Sequence, residues 1–580
     1  MRDGLRGGLA AAVLVSTQAM FFESHEPVVA SMYLVAIQST VAMASIIVAL
    51  ASMVHPWLGA ALVFVAAVPS MHPLSLIVGA ALTGLLLSQR TRTVWVEALL
   101  ACGVVSWGVR GTLAAPPVTD PRPDIIVYII DTMSAESSGL YGHSLDTTPI
   151  LDAMADEGVV FDRALSTAPW TVPAHASLFT GEHPRDVAVH HQHRTFLDER
   201  ETTAEQLSAA GYRTAAFVAN PWLDQSGLLR GFEDVVAGNE AANRSPLHLI
   251  PAFKLLLWSF KERGDTSNSD PAHKGGMRFV EYGMNWLSLT DGRPSLLVLN
   301  VMEPHSPYHQ AEQPDRFGAT DWRAVSQRSH EIQQFGPGYS DYPHQGEADT
   351  ARLIHAAGIR HADRLLGAIL ESVESQGRTQ DTVVMVTADH GESFGEYGYH
   401  GHLVGLNPQT LHVPLVMRYP ARLPARTRIS HAVSTRRVHD TLLDLAGVRT
   451  SPSSLLHDVQ HGSASSKPIV SEHFRPLPFL ERFAAAGNTT PQIDYHEVRA
   501  ELDTDVLVLT DHAEQGQTWS CYDRASDPAE RTALHQDLCP PSLAKAIDDH
   551  LSRPTLYADE SAPMSDLMIK QLEALGYLAE

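Results

Sequence analysis

The first 113 of the 580 residues carry almost no charge inside long apolar stretches, and this asymmetry limits what the chain can fold into. The stretches run at about 8–22, 28–53, 56–70, 74–88 and 94–111. A bilayer core takes roughly 20 apolar residues per helix, so the pattern predicts about five transmembrane helices, the first, third and fourth being short. Arg2 and Arg6 precede the first stretch and Arg90 and Arg92 separate the fourth from the fifth, whereas Glu23 and Glu26 lie between the first and second. Lys and Arg favour the cytoplasmic side, which puts the N-terminus inside and everything after residue 111 outside; Arg110 is one residue against that count. If the first stretch were a cleaved signal peptide, the body would still be delivered outside. The expected localisation is an integral membrane protein whose large domain is extracytoplasmic, on the periplasmic or outer side.

Residues 114–123, rich in proline, read as a stiff linker. Beyond it, strand-like runs at 124–130, 213–218, 295–301, 382–387 and 413–417 alternate with helical patterns at 146–157, 172–181, 202–210 and 352–375. Such alternation predicts an α/β domain with a largely parallel sheet, its active site at the C-terminal ends of the strands. Asp131, Asp389 and the segment Glu303-Pro304-His305 all fall just past such ends. Residues 246–263 read as an amphipathic helix packed on the domain. From about 496 the pattern becomes one of paired strands, and a helix is expected near 564–576. The net charge of −24 argues against nucleic-acid binding. Three cysteines make no disulfide scaffold; Cys521 and Cys539 are either one bridge or two free thiols.

The chemistry gathers at a few positions. Asp131 ends a strand, Thr171 opens a helix, and Asp389-His390 ends another strand. Hard oxygen ligands with one imidazole suit a divalent cation, and a cation acidifies a hydroxyl beside it. Manganese, zinc, magnesium and calcium all remain open, the imidazole favouring the first two. A helix start also offers free N–H groups to an anion, so Thr171 is placed to meet a phosphate or sulfate. The cluster His183, His190, His191 and His193 lacks a carboxylate at matching spacing and reads as solvated loop histidines. His143 and His412 read as structural. Glu303 is either a group supporting the site or a loop acid.

Taken in order, these segments resemble the sulfatase branch of the alkaline phosphatase superfamily. The likeness rests on Ile-Ile-Asp131-Thr-Met, Tyr141-Gly142, Thr148-Pro149-Ile-Leu-Asp152, and Thr171-Val-Pro-Ala-His-Ala-Ser-Leu-Phe-Thr-Gly181. It continues through Gly211-Tyr-Arg-Thr214, Glu303-Pro-His305-Ser-Pro-Tyr308, Ala388-Asp389-His390-Gly-Glu, Gly401-His402 and Val413-Pro-Leu415, and it reaches the tail at Cys521-Tyr-Asp-Arg and Gln571-Leu-Glu-Ala-Leu-Gly-Tyr. The resemblance implies a mixed-sheet α/β catalytic domain over 124–450 and a small antiparallel-sheet subdomain over 451–580, behind the membrane region 1–113 and the linker 114–123. It implies one divalent metal ion held by Asp131, Thr171, Asp389 and His390. Thr171 would be the nucleophile, and His305 and His402 would contact the anionic ester or its leaving group. His175 and Asn220 occupy positions near the ester and are further substrate-binding candidates.

Several positions depart from a sulfatase. Sulfatases carry a cysteine or serine where Thr171 stands and oxidise it to formylglycine; the Cβ methyl of threonine leaves a ketone at best. His175 replaces an arginine, Val218-Ala-Asn220-Pro replaces a segment with a sulfate-clamping lysine, and Thr132 replaces a second carboxylate. A threonine nucleophile behind a membrane bundle is similar to lipoteichoic acid synthases and phosphoethanolamine transferases. The resemblance therefore implies a membrane-anchored hydrolase or transferase of phosphate esters of envelope lipid or glycan. The alternatives are a sulfatase without formylglycine, or an inactive relative that binds polyanions with Thr171 as a helix cap only.

Overall fold

The structure is a computed structural model. It describes residues 120–554 apart from 239–273, 309–313, 326–344, 463–466, 481–493 and a few single positions or pairs. The expected membrane helices, most of the linker, the amphipathic helix at 246–263 and the helix near 564–576 lie outside the described residues. Among those described, no helix is long and apolar enough to cross a membrane.

The body is built on a mixed sheet whose central strand, β1 (Asp124–Ile130), is DIIVYII with all seven residues buried. Burying one Ile or Val stabilises by roughly 1.5–3 kcal/mol, so a strand covered on both faces reads as one continuous apolar run. β1 pairs in parallel with β5 (Ser295–Val301) on one side and β6 (Thr382–Thr387) on the other. β5 is followed outward by β3 (Arg213–Val218) and β4 (Asp234–Ala237), again parallel. On the other side β10 (Leu415–Arg418) runs antiparallel between β6 and β2 (Val159–Leu165). β11 (Thr427–Ser434) then pairs in parallel with β2, while the two-residue strands β7 (Ser393–Phe394) and β8 (His400–Gly401) pair with each other outside this sheet.

The strand expected at 413–417 is two pieces. Pro414 has no N–H to give to a ladder, so β9 (His412–Val413) pairs with the end of β2 and β10 begins only after the proline. The order β11-β2-β10-β6-β1-β5-β3-β4 leaves β1, β2, β3, β5 and β6 pointing the same way. Their C-terminal ends share one edge of the sheet.

Helix α1 (Pro149–Ala155) is shorter than the 146–157 expected. It opens on a proline, and its free Ile150 and Leu151 amides donate to the Asp363 carboxylate at 3.0 and 2.8 Å. Helix α2 is Thr171–Thr180, α3 is Thr203–Ala209, α4 is Pro221–Asp224 and α5 is Gly276–Ser288. α6 (Gln345–Ser375) starts seven residues before the expected 352. α7 is Arg437–Leu445 and α8 Leu455–His461; Leu455 and Leu456 belong to the core of the main sheet.

A separate four-stranded antiparallel sheet follows: β12 (Ile469–His473), β13 (Tyr495–Leu502), β14 (Asp505–His512) and β15 (Gly516–Asp523). Helix α9 (Pro541–Leu551) covers it, with Leu543 and Ile547 buried among Val498, Ala500 and Leu507. Cys521 on β15 is joined to Cys539 by a disulfide.

Candidate active site

Thr171 is the first residue of α2, after Trp170 in extended conformation, and all ten helix residues are buried. The helix therefore directs its free N–H groups and positive dipole end at the edge shared by the strand ends. Its other end is fixed by Gly181 at φ 75°, where an added Cβ would lie 2.9 Å from the His439 ring. The neighbouring strand ends supply the rest: Asp131 after β1, Asn220 after β3, His305 after β5, and Asp389 with His390 after β6.

These side chains meet. Thr171 Oγ1 lies 3.3 Å from His390 Nε2 and accepts a hydrogen bond from Asn220 Nδ2 at 3.1 Å. Asn220 Nδ2 also donates to Asp131 Oδ2 at 2.8 Å. His390 Nε2 is 3.7 Å from Asp131 Oδ1 and 3.3 Å from Asp389 Oδ2. His175, one turn along α2, donates through Nδ1 to the Thr171 carbonyl at 2.9 Å and reaches Asp389 Oδ2 at 3.5 Å. His402 stacks on His390 with centroids 4.4 Å apart and meets the His305 ring edge-on at 4.9 Å. All eight candidate residues named from the sequence thus lie in one buried cluster.

The electrostatics of the cluster ask for a cation. Asp131, Asp389 and His390 each offer a ligand atom, and the three atoms lie within 4.8 Å of one another. Asp131 Oδ1 and Asp389 Oδ2 are buried with no hydrogen-bond donor among the described residues. Burial, and then the Asp389 charge, push Asp131 up to about 7; burial does the same to Asp389, only partly opposed by backbone N–H groups. Burial and then His402 pull His390 down to about 4, which leaves its Nε2 lone pair free to ligate. Two crowded carboxylates and a neutral imidazole fit a divalent cation, with Thr171 Oγ1 beside it.

Two further groups went unnoticed as site residues. Glu392 accepts from, or donates to, His402 Nδ1 at 3.0 Å, and burial pushes it up to about 8. It stands in the quoted run Ala388-Asp-His-Gly-Glu, so the signal was present. Lys274 gave none. Its ammonium donates to the carbonyls of Glu303, at 3.3 Å, and His305, while the Glu303 carboxylate accepts from Gly276 N at 3.0 Å. Lys274 and α5 thus grip the turn that carries His305, and Glu303 is a supporting group. Burial pulls Lys274 down to about 7.

Thr132 adopts φ 61°, a strained conformation for a β-branched residue, and its carbonyl accepts from His355 Nε2 at 3.0 Å. The loop histidines are a correction. His183, His190, His191 and His193 are 0–8 % exposed instead of solvated. They are covered by β12, Phe474 just after it and α9, far away in sequence: His191 packs on His473, His190 on Phe474 and His183 on His550. His412 donates through Nε2 to the Asp162 carbonyl, 2.9 Å away, in a structural role.

The sulfatase family model matches residues 123–448, more than half of the chain and all of this edge. The chain belongs to the sulfatase family. Among curated proteins, this sulfatase-family chain is similar to arylsulfatase K of Canis lupus familiaris, 23 % identical over 358 residues, covering 56 % of this chain and 63 % of that protein. It is also similar to N-acetylglucosamine-6-O-sulfatase of Bacteroides thetaiotaomicron, 22 % identical over 484 residues, covering 70 % and 82 %. The chain spans under two thirds of the length of the arylsulfatase K proteins of dog and cattle, 63 % and 65 %. Among solved structures, the fold is similar to a phosphonate monoester hydrolase of Agrobacterium radiobacter, with TM-score 0.57 and 19 % identity over 74 % of this chain and 94 % of that one. A 2-O glycosaminoglycan sulfatase follows, with TM-score 0.53 and 18 % identity over 74 % and 90 %.

Proposed function

We propose that this protein is a membrane-anchored, metal-dependent hydrolase or transferase that cleaves phosphate esters of an envelope lipid or glycan through Thr171. The observation that carries the reading is a threonine hydroxyl at the start of α2, 3.3 Å from His390 Nε2, where the family needs an oxidisable cysteine or serine. Threonine is a competent nucleophile as it stands. The fold does not decide between sulfate and phosphorus esters, since its neighbours include hydrolases of both.

In this reading Asp131, Asp389, His390 and Thr171 hold one divalent ion, which when bound lowers the pKa of the hydroxyl and neutralises charge on the ester. Asn220 orients Thr171 Oγ1 for attack on phosphorus. The α2 N-terminus meets the non-bridging oxygens. His402 gives a proton to the departing alcohol oxygen and recovers one at Nδ1 from the Glu392 carboxyl, which burial keeps protonated, while His305, whose Nδ1 donates to the Ser306 carbonyl, contacts the ester. A phosphothreonine is then passed to water or to an acceptor alcohol. The apolar stretches of 1–113 and the Cys521–Cys539 bridge support an anchored protein with its body outside the cytoplasm.

The second reading is sulfate-ester hydrolysis by the same threonine, favoured by the names of the curated relatives. The full-length protein, stripped of metal and reloaded with manganese, zinc, magnesium or calcium, decides between them on bis-p-nitrophenyl phosphate and p-nitrophenyl sulfate. Metal-dependent phosphodiester cleavage, lost by on the order of 10³-fold or more in Thr171→Ala, is the expected result. Faster sulfate cleavage would replace the proposal with the second reading. Ligand binding without any turnover would leave a polyanion-binding relative.

A further inference from the structure

Next to the nucleophile runs a row of rings that ester cleavage does not use. Trp170 immediately precedes Thr171, and its indole stacks on His191 with centroids 4.4 Å apart and planes 8° from parallel. His191 meets His473 edge-on at 5.4 Å, and His473 meets Tyr495 edge-on at 5.4 Å. The row begins beside the catalytic edge and ends on β13. Strand β12, which carries His473, is fastened to that edge. Glu472 N donates to the Thr167 carbonyl at 2.9 Å, and Ser471 Oγ to the Ser166 carbonyl at 2.6 Å. Ser166 Oγ in turn donates to the Asp389 carbonyl at 2.5 Å. The backbone of Leu403, the residue after His402, adjoins the His191 ring.

His473 is the telling member. It is 1 % exposed, and neither ring nitrogen has a hydrogen-bond partner among the described residues. Burial pulls it down to about 3, so the ring is neutral, with one donor and one acceptor both unmet. An unmet buried polar group destabilises the fold, and phenylalanine would fill the same space without that cost. A polar residue kept in such a place points to a partner that is bound and not built in.

We propose that Trp170, His191 and His473 form a subsite that receives hydroxyl groups on the alcohol portion of the ester cleaved at Thr171. The inference rests on the ester-cleavage reading and names the substrate class for it: a polyol, either a glycerol headgroup or a sugar. A hydroxyl both donates and accepts, which matches a neutral imidazole offering one of each. An anionic group would instead need a fixed cation, and the guanidinium groups nearby are engaged. Arg194 lies over the Trp222 ring at 4.7 Å, and Arg185 is paired with Glu472.

Full-length His473→Phe and His473→Gln test it by two readouts. Without ligand, His473→Phe is expected to melt above the wild type, because the orphaned polar ring is gone. A lower melting temperature would overturn the inference, since His473 would then already be bonded within the fold. In kinetics, His473→Phe is expected to raise KM for a glycerol or sugar ester about ten-fold more than for a p-nitrophenyl ester, with much of the difference restored by Gln. The ester showing the larger effect, glycerol or sugar, identifies the source. Equal change on all esters would also overturn it. Turnover that depends on Thr171 but not on His473 removes the subsite alone, whereas turnover indifferent to Thr171→Ala removes the ester-cleavage reading beneath it.

Discussion

Two buried acidic centres in this protein are opposites. At the shared edge of the main sheet, Asp131 and Asp389 sit close together, each with a carboxylate oxygen that no donor among the described residues meets. Some way off, where β12 meets α9, Glu472 is as deeply buried but saturated: Arg185 pairs with it, and His496 and His550 each reach it at 2.8 Å. Burial pushes Glu472 up, but the bonds from His496 and His550 and the nearby positive charges outweigh it and hold the carboxyl well below the usual range. A buried acid whose partners are all supplied by the chain is part of the frame. One whose partners are missing is waiting for something from outside.

The largest effect should separate the two centres by activity. Asp131→Asn is expected to lower turnover on the order of 10³-fold while leaving the melting temperature of the chelator-treated protein equal or higher, because it relieves crowding of like charge. A clear loss of melting temperature would make the edge a structural network after all. Glu472→Gln should do the reverse, costing about 3 kcal/mol in denaturant unfolding, with turnover per folded molecule kept.

Their pH signs differ too. Asp131 and Asp389 have folded pKa values near 7, above the ordinary 3.8, so the metal-free protein binds protons more tightly when folded and loses stability as pH rises from about 4 to about 7. Glu472 has a depressed folded value, so its contribution is present above about 4.5 and is lost as pH falls below that. Melting curves of the chelated and metal-loaded protein across that range check both, metal removing the first slope and not the second. The smallest effect concerns Lys274. Lys274→Met loosens the turn that carries His305 and is expected to lower kcat about ten-fold with KM little changed; a change confined to KM would make it an ester-binding group instead.

Much of this was legible in the sequence. Strands buried on both faces show as unbroken apolar runs, which is why β1, β3, β5 and β6 lie where the pattern put them. The residues after those strands supplied the site. The pattern failed where polarity or distance intervened. β2 reads VVFDRAL and β11 TRISHAVS, with polar residues facing out, so neither shows as an apolar run. Lys274 is one basic residue among 42, and only the fold brings it to His305. The loop histidines look solvated because β12 and α9, which bury them, come some 280 residues or more later.

The position of β2 carries one more consequence. This strand leads directly into Thr171, yet its partners are β9, β10 and β11, all made after residue 411. Until the ribosome has released that part, the strand before Thr171 has nothing to pair with, and β10 is needed to join it to β6 and the Asp389-His390 pair. The edge is closed last, by contacts of large sequence separation that form slowly. A nascent or prematurely ended chain that stops before residue 412 lacks the strands that place its threonine beside Asp389 and His390. Synthesis order itself keeps the incomplete protein inert.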